Sequence, residues 1–502
     1  MKSNENAVTE NLETEVVVIG GGGGGLPAAV AAGELGAKVI LLEKRHVAGG
    51  NAALAGGILA VDSHLQRRNK ILAHVDEIFK RAMAYAHWKI DPSIMRAFLD
   101  KSGDTVKWLE EKGVLFQEVP HFIPNEVPRL MHWPKGRGAG LTRPLVGKCK
   151  ELGVSVFYKT AAKKILVGED GAVAGVLALS RGKELRIGAK AVIVATGGYA
   201  GNKEMLKKHY ADYTEDLISV GLPHMGDGVL MAAEIGAAPE GLGMLHLRGP
   251  YFRGPKDIVT VAMEPNTVWV NKKGERYVDE GITFNWPESA NALNRQPGKI
   301  AFSLFDEKIK RAWIEDGLLK GYSRFPPTCK MTGIDKKLEV EAEKGGVKIA
   351  NTWKEIGAWI GMKGKALKAT IDEYNESSDR GYDGKFFKDR RYLQALRTPP
   401  FCAVKCYQSF LGTLGGIKIT CNMEVLNRHG EPIPGLYAAG NDTGGWEADT
   451  YGLSVLPGSA YGFAVNSGRM AGENAAKFLG LSSSEAGSKR RSQIIPGKSK
   501  RS

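Results

Sequence analysis

The chain has 502 residues, 43% of them hydrophobic and 25% charged, and a formal net charge of +14. These proportions exclude a disordered, collagen-like or fibrous protein, and no apolar run approaches the ~18 residues that a membrane span needs. The length accommodates about two to four domains.

Five cysteines, Cys149, Cys329, Cys402, Cys406 and Cys421, are sparse and odd in number. They imply a reducing compartment without a disulfide framework, and the absence of CxxC removes zinc ribbons, common iron–sulfur spacings and haem attachment. The N-terminal stretch is polar and acidic with no readable signal peptide, so cytoplasmic residence is the expectation. In the tail from Leu481, six basic residues stand against Glu485. Elsewhere Lys and Arg are scattered, with no basic helix or aromatic-interleaved patch, which argues against nucleic acid. The positive balance favours an anionic substrate or an acidic electron donor.

Glycine is the unusual count: 64 residues, against about 7% in ordinary proteins. The glycines cluster at 20–25, 49–57, 197–201, 412–416 and 440–458. Five clusters point to one extended ligand approached by many loops. The first is the most informative. Val16-Val-Val-Ile19 reads as a parallel strand buried on both faces. Six glycines follow, then a helical pattern over Leu26–Leu35 with Pro27 in its first turn, and Gly36 ends it. A second strand, Lys38–Leu42, leads to Glu43. In this context Gly20, Gly22 and Gly25 form a dinucleotide fingerprint. Gly20 makes the turn, Gly22 admits the pyrophosphate, Gly25 lets helix and strand pack, and Glu43 accepts from ribose hydroxyls.

Further along come Gly49-Gly50-Asn51…Gly56-Gly57, then Ala195-Thr196-Gly197-Gly198, Gly226-Asp227-Gly228, Val270-Asn271…Gly274-Glu-Arg276, Gly415-Gly416 and Pro434-Gly-Leu-Tyr-Ala-Ala-Gly440-Asn441-Asp442. Together these motifs resemble the FAD-binding fold of the fumarate reductase / succinate dehydrogenase flavoprotein superfamily, from about Glu15 to Ala476. The resemblance implies an α/β protein. A discontinuous Rossmann-like FAD-binding domain with a parallel sheet would occupy 1–243 and 394–480. An α+β capping domain would be inserted at 244–393, and 481–502 would be a flexible basic tail. Within the cap, a strand pair is expected at 267–271 and 276–278, with amphipathic helices near 306–316 and 364–376.

The same resemblance implies which residues hold the flavin. The phosphate and ribose end would meet Gly20, Gly22, Gly25, Glu43, Lys44 and Asp227. Gly50, Asn51, Gly56, Gly57 and Ala162 would follow, then Ala195, Thr196 and Gly197, with Gly440, Asn441 and Ser459 from the C-terminal motifs. Gly50 stands where the respiratory members carry the histidine that binds flavin covalently, so the FAD is expected to be non-covalent. No second fingerprint follows a strand. Electrons are therefore exchanged with an external donor or acceptor.

The fumarate-reducing members clamp a dicarboxylate with arginines and a histidine. Here those positions fall on Thr260, Met263, Phe284 and Val455, and the His-His-Thr motif reads Leu411-Gly412-Thr413. A dicarboxylate needs several cationic donors, so fumarate chemistry is not expected. Leu411-Gly412-Thr413-x-Gly415-Gly416, Asp449-Thr450-Tyr451 and Pro457-Gly458-Ser459 look like the 3-ketosteroid dehydrogenase branch. There a tyrosine and a backbone N–H bond a ketone oxygen while a hydride passes between flavin N5 and the β-carbon. Tyr451 and the Gly458 N–H are the candidate donors, although about three extra residues separate them here. A tyrosine packed beside the flavin is the alternative for Tyr451.

Phe284 replaces that branch's proton-carrying tyrosine. Arg248, His246, His132 and Tyr251 are the candidates for acid/base work in its place. The candidate pocket comprises Phe284, Trp446, Leu411, Gly412, Thr413 and His132, with Trp286 and Tyr461 as further aromatics. Such a lining suits a hydrophobic cyclic carbonyl substrate. The expected activity is formation or reduction of a C=C bond conjugated to a carbonyl. The alternatives are reduction of an unsaturated carboxylate such as an aryl acrylate, with Arg248 and Arg253 holding the acid, and an electron-transfer flavoprotein.

Overall fold

The computed structural model describes residues 10–122, 126–321, 325–362 and 366–482. Most of the basic tail, from residue 483 onward, lies outside the described residues. Among the described residues no helix is long and apolar enough to cross a membrane. The chain divides into two compact units. The first comprises Met1–Ala211, Gly221–Leu245 and Gly412–Ser502; the second comprises Asp212–Val220 and His246–Leu411.

The first unit is α/β. Its main sheet runs in the order Glu424–Leu426, Pro432–Ala438, Ala191–Val194, Val16–Ile19, Val39–Glu43 and Ser155–Tyr158. All neighbours are parallel except the first pair. Val16–Ile19, Val39–Glu43 and Ala191–Val194 are buried along their whole length. That is why they read as unbroken β-branched and aliphatic runs rather than as alternating patterns. A second sheet carries Glu10–Glu13, Lys183–Gly188, Val173–Ser180 and Thr160–Val167.

Two helices cross with their backbones in contact. Gly25–Glu34 begins at the glycine loop, and Ser459–Phe478 is the long helix near the C-terminus. A Cβ on Gly468 would lie 2.0 Å from the Gly24 carbonyl oxygen, and one on Gly472 would lie 2.2 Å from that of Ala28. Small residues on the long helix thus let it press the glycine loop from behind.

The second unit has its own sheet, ordered Ile218–Ser219, Phe401–Thr413, Ile300–Phe305 and Val268–Val270. Leu245–Phe252 and Val347–Ala350 also pair with the long strand Phe401–Thr413. Helices Glu307–Glu315 and Ala366–Arg380 cover the expected amphipathic stretches. Trp313 packs edge-on to Phe305 at 4.8 Å, and Trp353 stacks on Phe401 at 4.2 Å, in a core with Val268, Leu338 and Ile356.

Two expectations are corrected. The pair at 267–271 and 276–278 is not a hairpin. Val268–Val270 pairs with Ile300–Phe305, and only a single bridge, Val270 to Arg276, joins the two stretches. The reason is electrostatic. Arg276 is drawn inward, where its guanidinium donates to both oxygens of Glu280 (3.0 and 2.9 Å) and to Asp383 (2.9 Å), and Lys388 reaches Glu280 at 3.1 Å. The second correction concerns residues 394–411. Their strand belongs to the sheet of the second unit, held by its pairing with Ile300–Phe305.

Candidate active site

Sheet and helix together shape the glycine loop of the first unit. A Cβ on Gly20 would sit 2.3 Å from the Ala195 carbonyl oxygen, and one on Gly25 would sit 1.8 Å from that of Gly20. A Cβ on Gly22 meets nothing within 4 Å. The loop is therefore closed at both ends and open in the middle, as a site for a bulky phosphate group requires. Gly50 lies against this opening, with its Cβ position 3.5 Å from Gly22 Cα. Glu43, at the end of its strand, accepts from the Gly21 amide at 3.0 Å and from the Arg45 amide at 2.8 Å. Lys44 forms a 2.7 Å ion pair with Asp227. Asn51 accepts from the Leu222 amide at 2.7 Å, beside His224, whose ring burial pushes down to about 4. These residues fit a dinucleotide.

The strongest link among the C-terminal motifs is Asp442. It is fully buried, and its two oxygens take the hydroxyl of Thr196 (2.9 Å) and the amides of Thr196, Gly197 (3.1 Å) and Gly198 (2.8 Å). Burial raises its pKa, and these donors oppose the rise. Sequence reasoning quoted this aspartate without giving it a role. Asn441 lies alongside, its Nδ2 3.1 Å from where a Cβ on Gly412 would be. Thr413 Oγ1 accepts from the Tyr199 amide at 3.1 Å. Gly440 donates its amide to Ser467 at 3.0 Å.

Gly458 caps the long helix in a left-handed conformation, φ 82°. A Cβ there would come 2.8 Å from the Leu59 amide nitrogen, so the helix start is wedged against the strand Ile58–Leu59. At this same terminus the Tyr451 hydroxyl accepts from the Ala460 amide at 3.2 Å, and Ser459 donates to Glu447 at 3.1 Å. Burial pushes Tyr451 up to about 12 and Glu447 up to about 8. Glu447 escaped sequence reasoning because a single glutamate in a glycine-rich stretch carries no spacing signal.

Other expected residues take different places. Trp446 is fully buried and stacks on Phe463, 4.4 Å and 12° from parallel, so it is core rather than lining. His132 is also core. Its Nδ1 donates to the Leu130 carbonyl at 2.9 Å and its Nε2 meets Ser63 Oγ at 2.7 Å, while burial pushes it down to about 4. With both nitrogens engaged, His132 is not positioned as a proton carrier. Gly57 lies against it, 2.3 Å from the His132 carbonyl oxygen to a built Cβ, and Gly56 faces Met131 and Trp133. Ala162 sits half-buried in the strand Thr160–Val167, opposite Ala178.

The second unit holds a cation–aromatic cluster. The guanidinium of Arg248, fully buried, lies 5.0 Å from the Tyr251 ring centroid and 4.8 Å from that of Trp286, with Met263 Sδ 3.6 Å from one nitrogen. His246, next to Arg248, is pushed down to about 3 by burial and by that positive charge. Phe284 packs on Tyr392 at 6.0 Å. The amine of Lys320 turns inward over Phe284 (5.9 Å) and Trp286 (6.0 Å) and donates to Thr283 Oγ1 at 3.1 Å. Glu264 accepts the amides of Leu319 (2.7 Å), Lys320 (3.2 Å) and Gly321 (2.7 Å). Lys320 and Glu264 were not found from sequence, since no motif joins positions 56 apart. Arg253 is not available as a substrate clamp: it is half-exposed, bonds Asp216 at 3.3 Å and lies over Tyr407.

An open glycine loop after a strand of the parallel sheet, and a buried carboxylate tying the motifs together, define a dinucleotide-binding site. A family model described as an FAD binding domain matches residues 15–451, so the chain belongs to that FAD-binding family, within the fumarate reductase / succinate dehydrogenase flavoprotein superfamily. It is an FAD-dependent oxidoreductase. The chain is 35% identical to a vinyl phenol reductase of Lactiplantibacillus plantarum, over 92% of this chain and 96% of the relative. It is 31% identical to a cytochrome fumarate reductase of Shewanella frigidimarina, over 92% and 77%. Two solved structures are similar. The open conformation of a flavocytochrome c3 fumarate reductase has a TM-score of 0.72 and 28% identity, over 93% and 78%. A 3-ketosteroid-Δ4-(5α)-dehydrogenase from Rhodococcus jostii has 0.74 and 26%, over 95% and 99%.

Proposed function

We propose that this protein is an FAD-dependent reductase of C=C bonds conjugated to an aromatic ring or a carbonyl, acting on an aromatic or cyclic substrate that carries an oxygen anion. In this reading the first unit is the Rossmann-like FAD-binding domain and the second is the capping domain. Gly22, Gly50, Glu43, Lys44 and Asp227 would hold the cofactor's phosphate and ribose groups, and Gly50 offers no side chain for a covalent bond. The five cysteines, all free, are in keeping with a cytoplasmic protein. When bound, the flavin supplies a hydride.

The observation that carries the reading is Arg248. A guanidinium between two aromatic rings, with a lysine amine over one of them, suits a flat anionic group better than a neutral steroid. For an acceptor conjugated to a carbonyl, positive charge there stabilises the negative charge that develops on the carbonyl oxygen as the double bond accepts a hydride, and for a phenolic acceptor it holds the oxygen anion. The rings of Trp286, Phe284 and Tyr251 accommodate an aryl ring and keep water away. The relative named for vinyl phenol supports an aryl substrate over a small diacid.

A second reading rests on Tyr451. Its buried hydroxyl at the N-terminus of the helix Ser459–Phe478 suits a ketone-binding donor of the ketosteroid type. The experiment is anaerobic photoreduction followed by mixing with 4-vinylphenol, 4-hydroxycinnamate, a small cyclic enone and a 3-ketosteroid enone. Rapid flavin reoxidation by either of the first two is expected. Reoxidation by the enones alone would transfer the assignment to Tyr451.

A further inference from the structure

The structure leaves one demand of this chemistry unassigned. Reducing a double bond takes a proton as well as a hydride, and the sequence motifs put Phe284, which cannot titrate, where a proton carrier was expected. Three of the four candidates named from sequence do not fill the role, and the fourth, Tyr251, has its ring under the Arg248 guanidinium. His132 is locked between Ser63 and Leu130. His246 is held neutral beside Arg248. Arg248 is the partner of the anion in the reading above.

Lys320 stands beside Phe284. Three features hold its amine. Thr283 donates its own hydroxyl proton to the Met263 carbonyl at 2.7 Å, so its oxygen is left to accept from the lysine. The rings of Phe284 and Trp286 flank the amine. The turn that carries it is pinned by Glu264, whose carboxylate takes three consecutive backbone amides. Glu264 is fully buried, which makes this a built turn rather than a chance surface loop.

We propose that Lys320 is the catalytic acid of the reduction and that Glu264 is its positioning residue. The inference rests on the reductase reading. The π bond breaks. One carbon gains the hydride, whose two electrons come through the reduced flavin from an external electron donor. The pair left on the neighbouring carbon takes a proton from the lysine ammonium and forms the second C–H bond. The neutral amine regains a proton from water before the next turnover. The charged and titratable groups around the amine are Glu264, Arg248 and Tyr392, the last packed on Phe284. Burial pushes the ammonium down to about 7, with Arg248 adding to the fall and Glu264 opposing it. An acid poised near the working pH is the efficient kind.

The test compares the holoenzyme with Lys320→Met and Lys320→Arg. Each is photoreduced and mixed with 4-vinylphenol or 4-hydroxycinnamate, and single-turnover reoxidation is followed from acid to alkaline pH. Wild-type rates are expected to fall as pH rises past about 7. Lys320→Met is expected to lose about 100-fold or more with its FAD content unchanged. Lys320→Arg is expected to show no alkaline fall. A readout without turnover is lysine side-chain 13C NMR of the oxidised protein. The resonance missing from Lys320→Arg is expected to titrate well below the other lysines. Wild-type rates in Lys320→Met, an alkaline fall preserved in Lys320→Arg, or an ordinary lysine titration would each overturn the assignment while leaving the reductase reading intact. Failure of both acceptors to reoxidise the wild type would remove that reading, and the assignment with it.

Discussion

The carboxylate of Asp442 closes on Thr196, 246 positions earlier in the chain, taking both its amide and its hydroxyl. It adds the amides of Gly197 and Gly198. One side chain thereby welds the turn after the strand Ala191–Val194 to the turn after Pro432–Ala438, the two neighbouring strands of the main sheet. Asp442→Asn presents an NH2 group to a nest of donors. A buried donor left unsatisfied costs about 1–3 kcal/mol, so thermal unfolding should shift down by several degrees and the FAD-to-protein absorbance ratio should fall. An unchanged ratio would show that the weld is not needed for the cofactor.

Within the glycine loop, space alone separates two substitutions. Gly25→Ala drives a methyl group to within 1.8 Å of the Gly20 carbonyl oxygen, whereas Gly22→Ala meets no protein atom within 4 Å. Gly25→Ala should fail to yield folded protein. Gly22→Ala should fold with near-wild-type secondary structure and purify largely without FAD, because its methyl group occupies the room a phosphate needs. Circular dichroism and the flavin absorbance band decide this together.

Removing the buried guanidinium tests the substrate reading. A hydrogen bond to a charged group contributes about 1.5–3 kcal/mol, equivalent to roughly 10- to 150-fold. Arg248→Met should lower kcat/KM for an anionic aryl acceptor by that amount and raise its KM more than that of a neutral cyclic enone, which carries no anion for the guanidinium to bind before the hydride arrives. An equal rise in KM for both acceptors would point to a packing defect.

Glu447 carries a pH signature. Burial raises it from an ordinary 4.5 to about 8, so the stability of its neutral form is complete below about pH 4.5 and is lost as pH rises through 8. Glu447→Gln keeps the shape and cannot ionise. In denaturant unfolding the variant should match the wild type near pH 4.5 and exceed it by a margin that grows as pH rises from there to about 8.

His132 acts in the opposite direction. Its folded value of about 4 lies below the ordinary 6.5. The neutral native form therefore contributes stability above about pH 6.5 that is lost as pH falls towards 4, by up to about 3 kcal/mol. His132→Asn should be less stable than the wild type at neutral pH, and the gap should narrow as the solution is acidified. A constant gap across that range would rule out the buried neutral histidine as the source.

Much of this protein was legible in linear order. Val16–Ile19, the six glycines, the helix and Glu43 are contiguous, and their chemistry is local: a strand must end, a helix must start, and a phosphate must approach a bare backbone. Motif order extended the reading to the whole cofactor-binding scaffold. Proximity across the chain was not legible. No spacing rule joins Asp442 to Thr196, Glu264 to the amides of Leu319–Gly321, or Arg276 to Asp383. These partners meet because buried charge must find compensating donors wherever the fold brings them. Nor does a histidine's identity reveal whether its two nitrogens are already engaged, as those of His132 are. The glycine loop is a property of consecutive residues, whereas the cluster of Arg248, Trp286, Phe284 and Lys320 exists only once the second unit has folded.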